Sequence, residues 1–154
     1  MTNEVINYTK MKNVGYHSYD PLIARIHDFC EKAEHGVGSR ASLRDSIDYL
    51  YEELHEYTKG FRLEDMEETI DGAGDVAFLA INLIYKTFRH YGLDSEDAEV
   101  YTYETLCRIT EANMNKAQPD GKFRKVGRKV IKPEGWQPPR YDDMVGAIVN
   151  GENE

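Results

Sequence analysis

Cysteine, tryptophan and proline are scarce in this chain, and it has no long apolar run. Of 154 residues, two are cysteine, one is tryptophan and five are proline. Cys30 and Cys107 lie far apart with no Cys-x-x-Cys pattern, which excludes a disulfide framework or a thiolate zinc site and predicts two reduced core residues. The densest apolar stretch, Val76 to Tyr85, is too short to cross a hydrocarbon layer of about 30 Å. At the amino terminus no basic region leads into an apolar one, so no secretory leader is expected. These absences predict a soluble, cytoplasmic protein with no membrane partner. The length suits one domain over residues 1–154, with enough apolar residues for one core.

The net charge of −9 is unevenly spread. Between residues 116 and 132, Lys116, Lys122, Arg124, Lys125, Arg128, Lys129 and Lys132 face the single acid Asp120, so the rest of the chain is more acidic still. Such overall repulsion argues against general nucleic-acid binding. The basic strip is either a solvated tail or a grip on one small polyanion.

Helical spacing dominates as far as Asn115. Asp20-Pro21 predicts a helix start, and Leu22, Ile23, Ile26, Phe29 and Cys30 follow as its buried face, with a stop near Gly36. Ser42-x-x-Asp45 predicts the cap of a second helix, with Leu43, Ile47, Leu50 and Leu54 inward and Gly60 as its end. A third helix is expected from Glu64 to Tyr91, closed by Gly92, and a fourth from Ser95 to Met114 with Val100, Leu106, Ile109 and Ala112 inward. Short connections imply antiparallel neighbours. The fold class is therefore all-α: a four-helix-bundle-like protomer with an irregular basic C-terminal segment. The third helix is apolar nearly all round between Val76 and Tyr85, which calls for a dimer or tetramer to cover it. Beyond Asn115, turn signals at Asp120-Gly121 and Gly127 leave room for short strands at Phe123, Val126, Val130 and Ile131. Prolines 133, 138 and 139 forbid continuous helix, residues 141–149 suit one last short helix, and the final five residues are expected to lack order.

Several motifs mislead. Gly72-x-Gly74-x-x-Ala77 matches a loose dinucleotide fingerprint, yet a helical acidic run precedes it where a strand is required. Its glycines instead predict close approach to the backbone, by a packed helix or a phosphate. His55-Glu56 lacks the second histidine of a zinc-protease box, since Lys59 occupies that position. Glu52-x-x-His55 is a single copy of a motif that di-iron bundles carry twice. His27-Asp28 is the dipeptide of HD-type phosphohydrolases, but no other histidine stands in the context of a further ligand.

Four carboxylates remain. Glu53 and Glu56, then Asp71 and Asp75, each lie one turn apart on one helix face. Like charges so placed repel unless a cation lies between them, and hard oxygen ligands suit Mg²⁺ or Mn²⁺. An unpaired Asp75 at the head of an apolar run would also be costly to bury. The competing interpretation is an ordinary solvated acidic face.

Glu53-x-x-Glu56 and Asp71-x-x-x-Asp75 followed by an apolar run resemble the MazG-like all-α nucleoside triphosphate pyrophosphohydrolases. Asn113-Met114-Asn115-Lys116 and the tail Gly127-Arg128-Lys129-Val130-Ile131-Lys132-Pro133-x-Gly135-Trp136-x-Pro138-Pro139 resemble the branch common in phages and related to phosphoribosyl-ATP pyrophosphohydrolase. The resemblance covers residues 20–139. One departure is plain: the family's Glu-x-x-Asp, ended at Asp75, puts Gly72 where Glu is expected, so Asp71 substitutes or Glu68-x-x-Asp71 is the register.

The resemblance implies hydrolysis of a nucleoside triphosphate to monophosphate and pyrophosphate with two or three Mg²⁺ or Mn²⁺ ions per site. Glu53, Glu56, Asp71 and Asp75 would be the ligands, with Glu52 as a base or as a group that supports the ligands. Asn113, Asn115, Lys116, Lys129, Lys132 and Trp136 would hold the nucleotide, with dGTP or GTP the preferred substrate and the host cytoplasm the location for a phage protein. It further implies a homo-oligomer whose neighbouring chain closes each site. The alternatives are a pyrophosphatase for another deoxynucleotide or phosphoribosyl-ATP, and a non-catalytic helical partner protein.

Overall fold

The computed structural model describes residues 21–151. The expected cap at Asp20 and the last three residues lie outside that range. Five helices, α1 (Pro21–Ala33), α2 (Arg40–Arg62), α3 (Met66–His90), α4 (Ser95–Met114) and α5 (Asp142–Asn150), account for most of it. The strands β1 (Lys125–Val126) and β2 (Lys129–Val130) form a small antiparallel hairpin, with Lys125 opposite Val130. The all-α class holds, and α4 has the bounds its spacing predicts.

Helix starts follow local chemistry. Asp65 and Asp94 accept from the backbone N–H of Glu68 and Asp97, satisfying amides that have no partner inside α3 and α4. The cap of α2 differs from expectation: Ser39 accepts from Ser42 N–H at 3.1 Å, and Ser42 is already inside the helix and buried. Nor does Gly60 end α2. The helix runs on to Arg62, the chain turns through Glu64 at φ 57°, and α3 begins two residues later than expected. At the other end of α3, Gly92 does close the helix, in a left-handed conformation at φ 97° that favours glycine.

Gly60 has another use. A Cβ there would lie 2.9 Å from Thr69 N, and one at Gly72 would lie 2.9 Å from Tyr57 N. Two glycines therefore let α2 and α3 pack backbone to backbone as an antiparallel pair, and helix packing is the role of Gly72. Gly74 contrasts with both, since a Cβ there meets nothing within 4 Å.

The core lies where α1, α3 and α4 meet, around Cys30, Tyr85, Leu93 and Ala98. Burying Leu93, 1% exposed, is worth roughly 1.5–3 kcal/mol. α1 packs on α3 and α4, not along its sequence neighbour α2. Several expected core positions are open. Leu22, Phe29, Ile47, Leu54 and Ile109 are exposed, as is Cys107, whereas Cys30 is buried. α5 docks through Met144 and through a bidentate pair from Arg108 to Asp143, at 2.7 and 2.6 Å. It extends to Asn150, with Gly151 as a left-handed cap, so the last turn is ordered beyond the expected end. No helix among the described residues is long and apolar enough to cross a membrane.

Candidate functional site

The close packing of α2 on α3 places the two acidic pairs across one seam. Tyr57 lies against Gly72 and Gly60 against Glu68 and Thr69, so the antiparallel register sets Glu53 near Asp75. Glu53 is half-buried, while Glu52, Glu56, Asp71 and Asp75 are exposed. The Glu53 carboxyl titrates above its ordinary range: partial burial pushes it up first, and the charges of Asp75, Glu56, Glu52 and Asp71 push it further. All five carboxylates thus share one electrostatic neighbourhood, a fact the sequence pairs alone could not establish.

Beside the seam an open cavity of about 790 Å³ is lined by Glu67, Glu68, Asp71, Gly74 and Asp75, among others. Asp71 and Asp75 bracket Gly74, whose missing side chain keeps backbone accessible there. Both candidate registers stay open, because Glu68 and Asp71 line the same cavity. Gly72 is excluded from ligand duty by its packing against Tyr57. Asp75 is exposed, so the cost of burying it gives no reason for a metal.

The donor set fits a hard cation, since every candidate offers carboxylate oxygen and positive charge would relieve the repulsion that raises Glu53. Among the described residues, however, no three side chains of His, Cys, Asp or Glu are gathered closely enough to hold one ion as they lie. The carboxylates sense each other's charge without converging on a point.

The other candidates gather elsewhere. Trp136 Nε1 donates to the Ala112 carbonyl at 2.8 Å, pinning the C-terminal segment to the end of α4. Lys132 Nζ sits 4.0 Å and Lys116 Nζ 5.6 Å from the Trp136 ring centroid, so ammonium groups already cover the ring that could stack on a base. Asn113 donates to the Ile109 carbonyl and accepts from Lys116. Asn115 is the C-cap of α4, and Lys129 projects from β2, exposed. The structure brings Asn113, Lys116, Lys132 and Trp136 together. Among the described residues no hydrogen bond or ion pair joins them to the acidic seam.

The misleading motifs fall away on geometry. His27 is buried while Asp28 is exposed and paired with Lys32, so they do not act as one metal-binding dyad. Gly72 to Ala77 lies inside α3 with no strand before it. Sequence reasoning missed a buried polar network along the upper part of α3. Lys86 Nζ donates to Ser46 Oγ at 2.7 Å and pairs with Glu34, and Tyr85 donates to Glu31 at 2.6 Å. The readable signal was Ser42 and Ser46 one turn apart on a helix face otherwise expected to be apolar. No protein-family model, curated protein or solved structure matches this chain.

Proposed function

We propose that this chain is a metal-dependent pyrophosphohydrolase that converts a (deoxy)nucleoside triphosphate to its monophosphate and pyrophosphate. The observation that supports this reading is the cross-helix group in which Glu53 feels Asp75, Glu56, Glu52 and Asp71. Glu53, Glu56 and Asp75, with Asp71 or Glu68, would hold two or three Mg²⁺ or Mn²⁺ ions. Such ions, when bound, neutralise phosphate charge and acidify a water. Glu52 takes the water's proton as its oxygen bonds to the α-phosphorus. The bond from that phosphorus to the bridging oxygen breaks, and its electron pair leaves with pyrophosphate. Asn113, Asn115, Lys116, Lys129, Lys132 and Trp136 contact phosphates, sugar or base, and dGTP or GTP is the preferred substrate in the cytoplasm.

The reading includes a dimer or tetramer. Ile47, Tyr51, Leu54 and Phe61 recur at spacings of four, three and seven residues on α2, all exposed, and Met66 and Ile70 are exposed apolar residues on α3. A second copy would cover this stripe. Light scattering should give an even oligomer, and a fully active monomer would contradict it.

A non-catalytic helical partner protein is the second reading, favoured by the exposure of Glu52, Glu56, Asp71 and Asp75, as on an ordinary solvated acidic face. One experiment separates the two. The protein is incubated with each common nucleotide and Mg²⁺ or Mn²⁺, and the products are resolved. Monophosphate plus pyrophosphate, abolished by chelator, is expected; a diphosphate with inorganic phosphate would overturn the mechanism. No turnover, together with no thermal shift on adding metal and a non-hydrolysable triphosphate, would favour the partner protein.

A further inference from the structure

Polar contacts tie α1 to α3. Glu31 accepts from the Tyr85 hydroxyl at 2.6 Å and from Arg89 Nε at 2.9 Å, and Glu34 pairs with Lys86. Beside them sits His27, 3% exposed, with its ring stacked on Tyr85 at 4.1 Å between centroids. Among the described residues neither of its ring nitrogens has a hydrogen-bond partner. Glu99 Oε2 on α4 lies 3.6 Å from Nδ1, too long for a hydrogen bond but near enough to pair with the ring once it is protonated. Among the described residues the charged and titratable groups on the packed elements are Cys30 and Glu31 on α1, Tyr85, Lys86 and Arg89 on α3, and Glu99 on α4. Glu31 is already engaged by Tyr85 and Arg89.

We propose that α1 is an acid-releasable clasp on α3, with His27 as its trigger: one proton taken up by this imidazole favours a state in which α1 has left α3 and α4. A neutral imidazole buried without a hydrogen bond is already costly, and an imidazolium there costs more. Burial pushes His27 down from 6.5 to about 4, and the charge of Glu31 opposes this only in part. The released histidine binds a proton below about 6.5, whereas the docked one does not until about 4. Release is thus favoured as pH falls through that window and levels off below it. The pairing of Glu34 with Lys86 lies just past the end of α1 and is kept in that window, so it marks the pivot about which α1 leaves. Burial raises the Glu34 carboxyl, but hydrogen bonds from Lys86 and Ser42, with the charge of Lys86, outweigh it and hold the carboxyl below its ordinary range.

Release reaches the acidic seam through one ring contact. Phe29 of α1 meets Phe78 of α3 edge-on at 5.4 Å, and Phe78 follows Asp75 by one helical turn. Undocking α1 removes that ring contact from the turn, whatever chemistry the carboxylates perform.

Hydrogen exchange on the full chain tests the clasp, with rates corrected for the intrinsic effect of pH. Between about pH 7.5 and pH 5, proton linkage predicts that α1 amides lose protection about thirty-fold while α2 and α3 amides near Gly60 and Gly72 hold theirs. His27→Phe keeps a flat ring against Tyr85 and cannot take the proton, so it should abolish the loss. In the unaltered protein the His27 ring protons, followed by NMR, should titrate with a midpoint near 4. Constant α1 protection, an equal loss in His27→Phe, or a midpoint near the ordinary 6.5 would each overturn the proposal. If the variant does not fold, the ring titration decides.

Discussion

The α2–α3 pair and the segment from Asn115 to Arg140 carry opposite charge and are held in different ways. In the helical pair, backbone regularity and two close-packed glycines set where Glu53, Glu56, Asp71 and Asp75 point. In the C-terminal segment a two-residue hairpin and single anchors, such as Trp136 on the Ala112 carbonyl, hold long cationic side chains that are mostly exposed. The difference matches the chemistry each region would perform. Short carboxylates can share a cation only if their backbones bring them together, whereas lysine and arginine stems reach for an anion from a looser support.

If that division is functional, the largest effects belong to the acidic seam. Glu53→Ala, Glu56→Ala and Asp75→Ala should each lower kcat/KM by at least about 100-fold, ~3 kcal/mol in the transition state, with little change in melting temperature. Full activity in all three would remove the seam from the chemistry. Asp71→Ala against Glu68→Ala, compared by calorimetric Mn²⁺ binding, assigns the remaining ligand to whichever loss weakens it.

The packing that draws the seam together should come next. Gly72→Ala forces a Cβ to 2.9 Å from Tyr57 N and should destabilise the protein by about 1–3 kcal/mol. Gly74→Ala meets only open space and, as a helix-interior change from glycine, should gain up to about 1 kcal/mol. Equal melting temperatures for the two variants would mean that the close contact at Gly72 does not govern the pair.

On the basic side the effects should be smaller and should fall on binding. Lys129→Ala or Lys132→Ala should raise KM several-fold, about 1 kcal/mol each, leave kcat nearly intact, and reduce the salt dependence of KM. A fall in kcat with KM unchanged would move these lysines from binding to chemistry.

The smallest effect is in the metal-free protein. Glu53→Gln removes a charge from a crowded group and should stabilise it by a few tenths of a kcal/mol, about 0.5 at most, near neutral pH. The sign follows from the raised carboxyl: the contribution of Glu53 to stability is full at low pH and is lost as pH rises through its folded value. The gain in Glu53→Gln should therefore vanish on acidification, as melting curves at the two pH values would record.

Much of this arrangement was written in local order along the chain. Apolar period and turn residues marked the middle of each helix, the span of α4, the Gly92 stop and a short hairpin around Gly127, though not which apolar residues are buried. They also put Glu53 with Glu56, and Asp71 with Asp75, because i, i+3 and i, i+4 spacing is a property of one helix. Only the tertiary structure decided what each such face meets. Gly60 was ambiguous because the missing Cβ that can end a helix can equally admit a neighbour, and here Thr69 is that neighbour. Ser42 and Ser39 carry the same hydroxyl, and the cap fell to the one whose backbone leaves the helix. Asp75 turned outward and His27 inward, although their neighbours in sequence suggested neither. Helix formation depends on residues within a turn of each other, but burial, pKa and the meeting of charges from α2 and α3 depend on distances that only the packed chain contains.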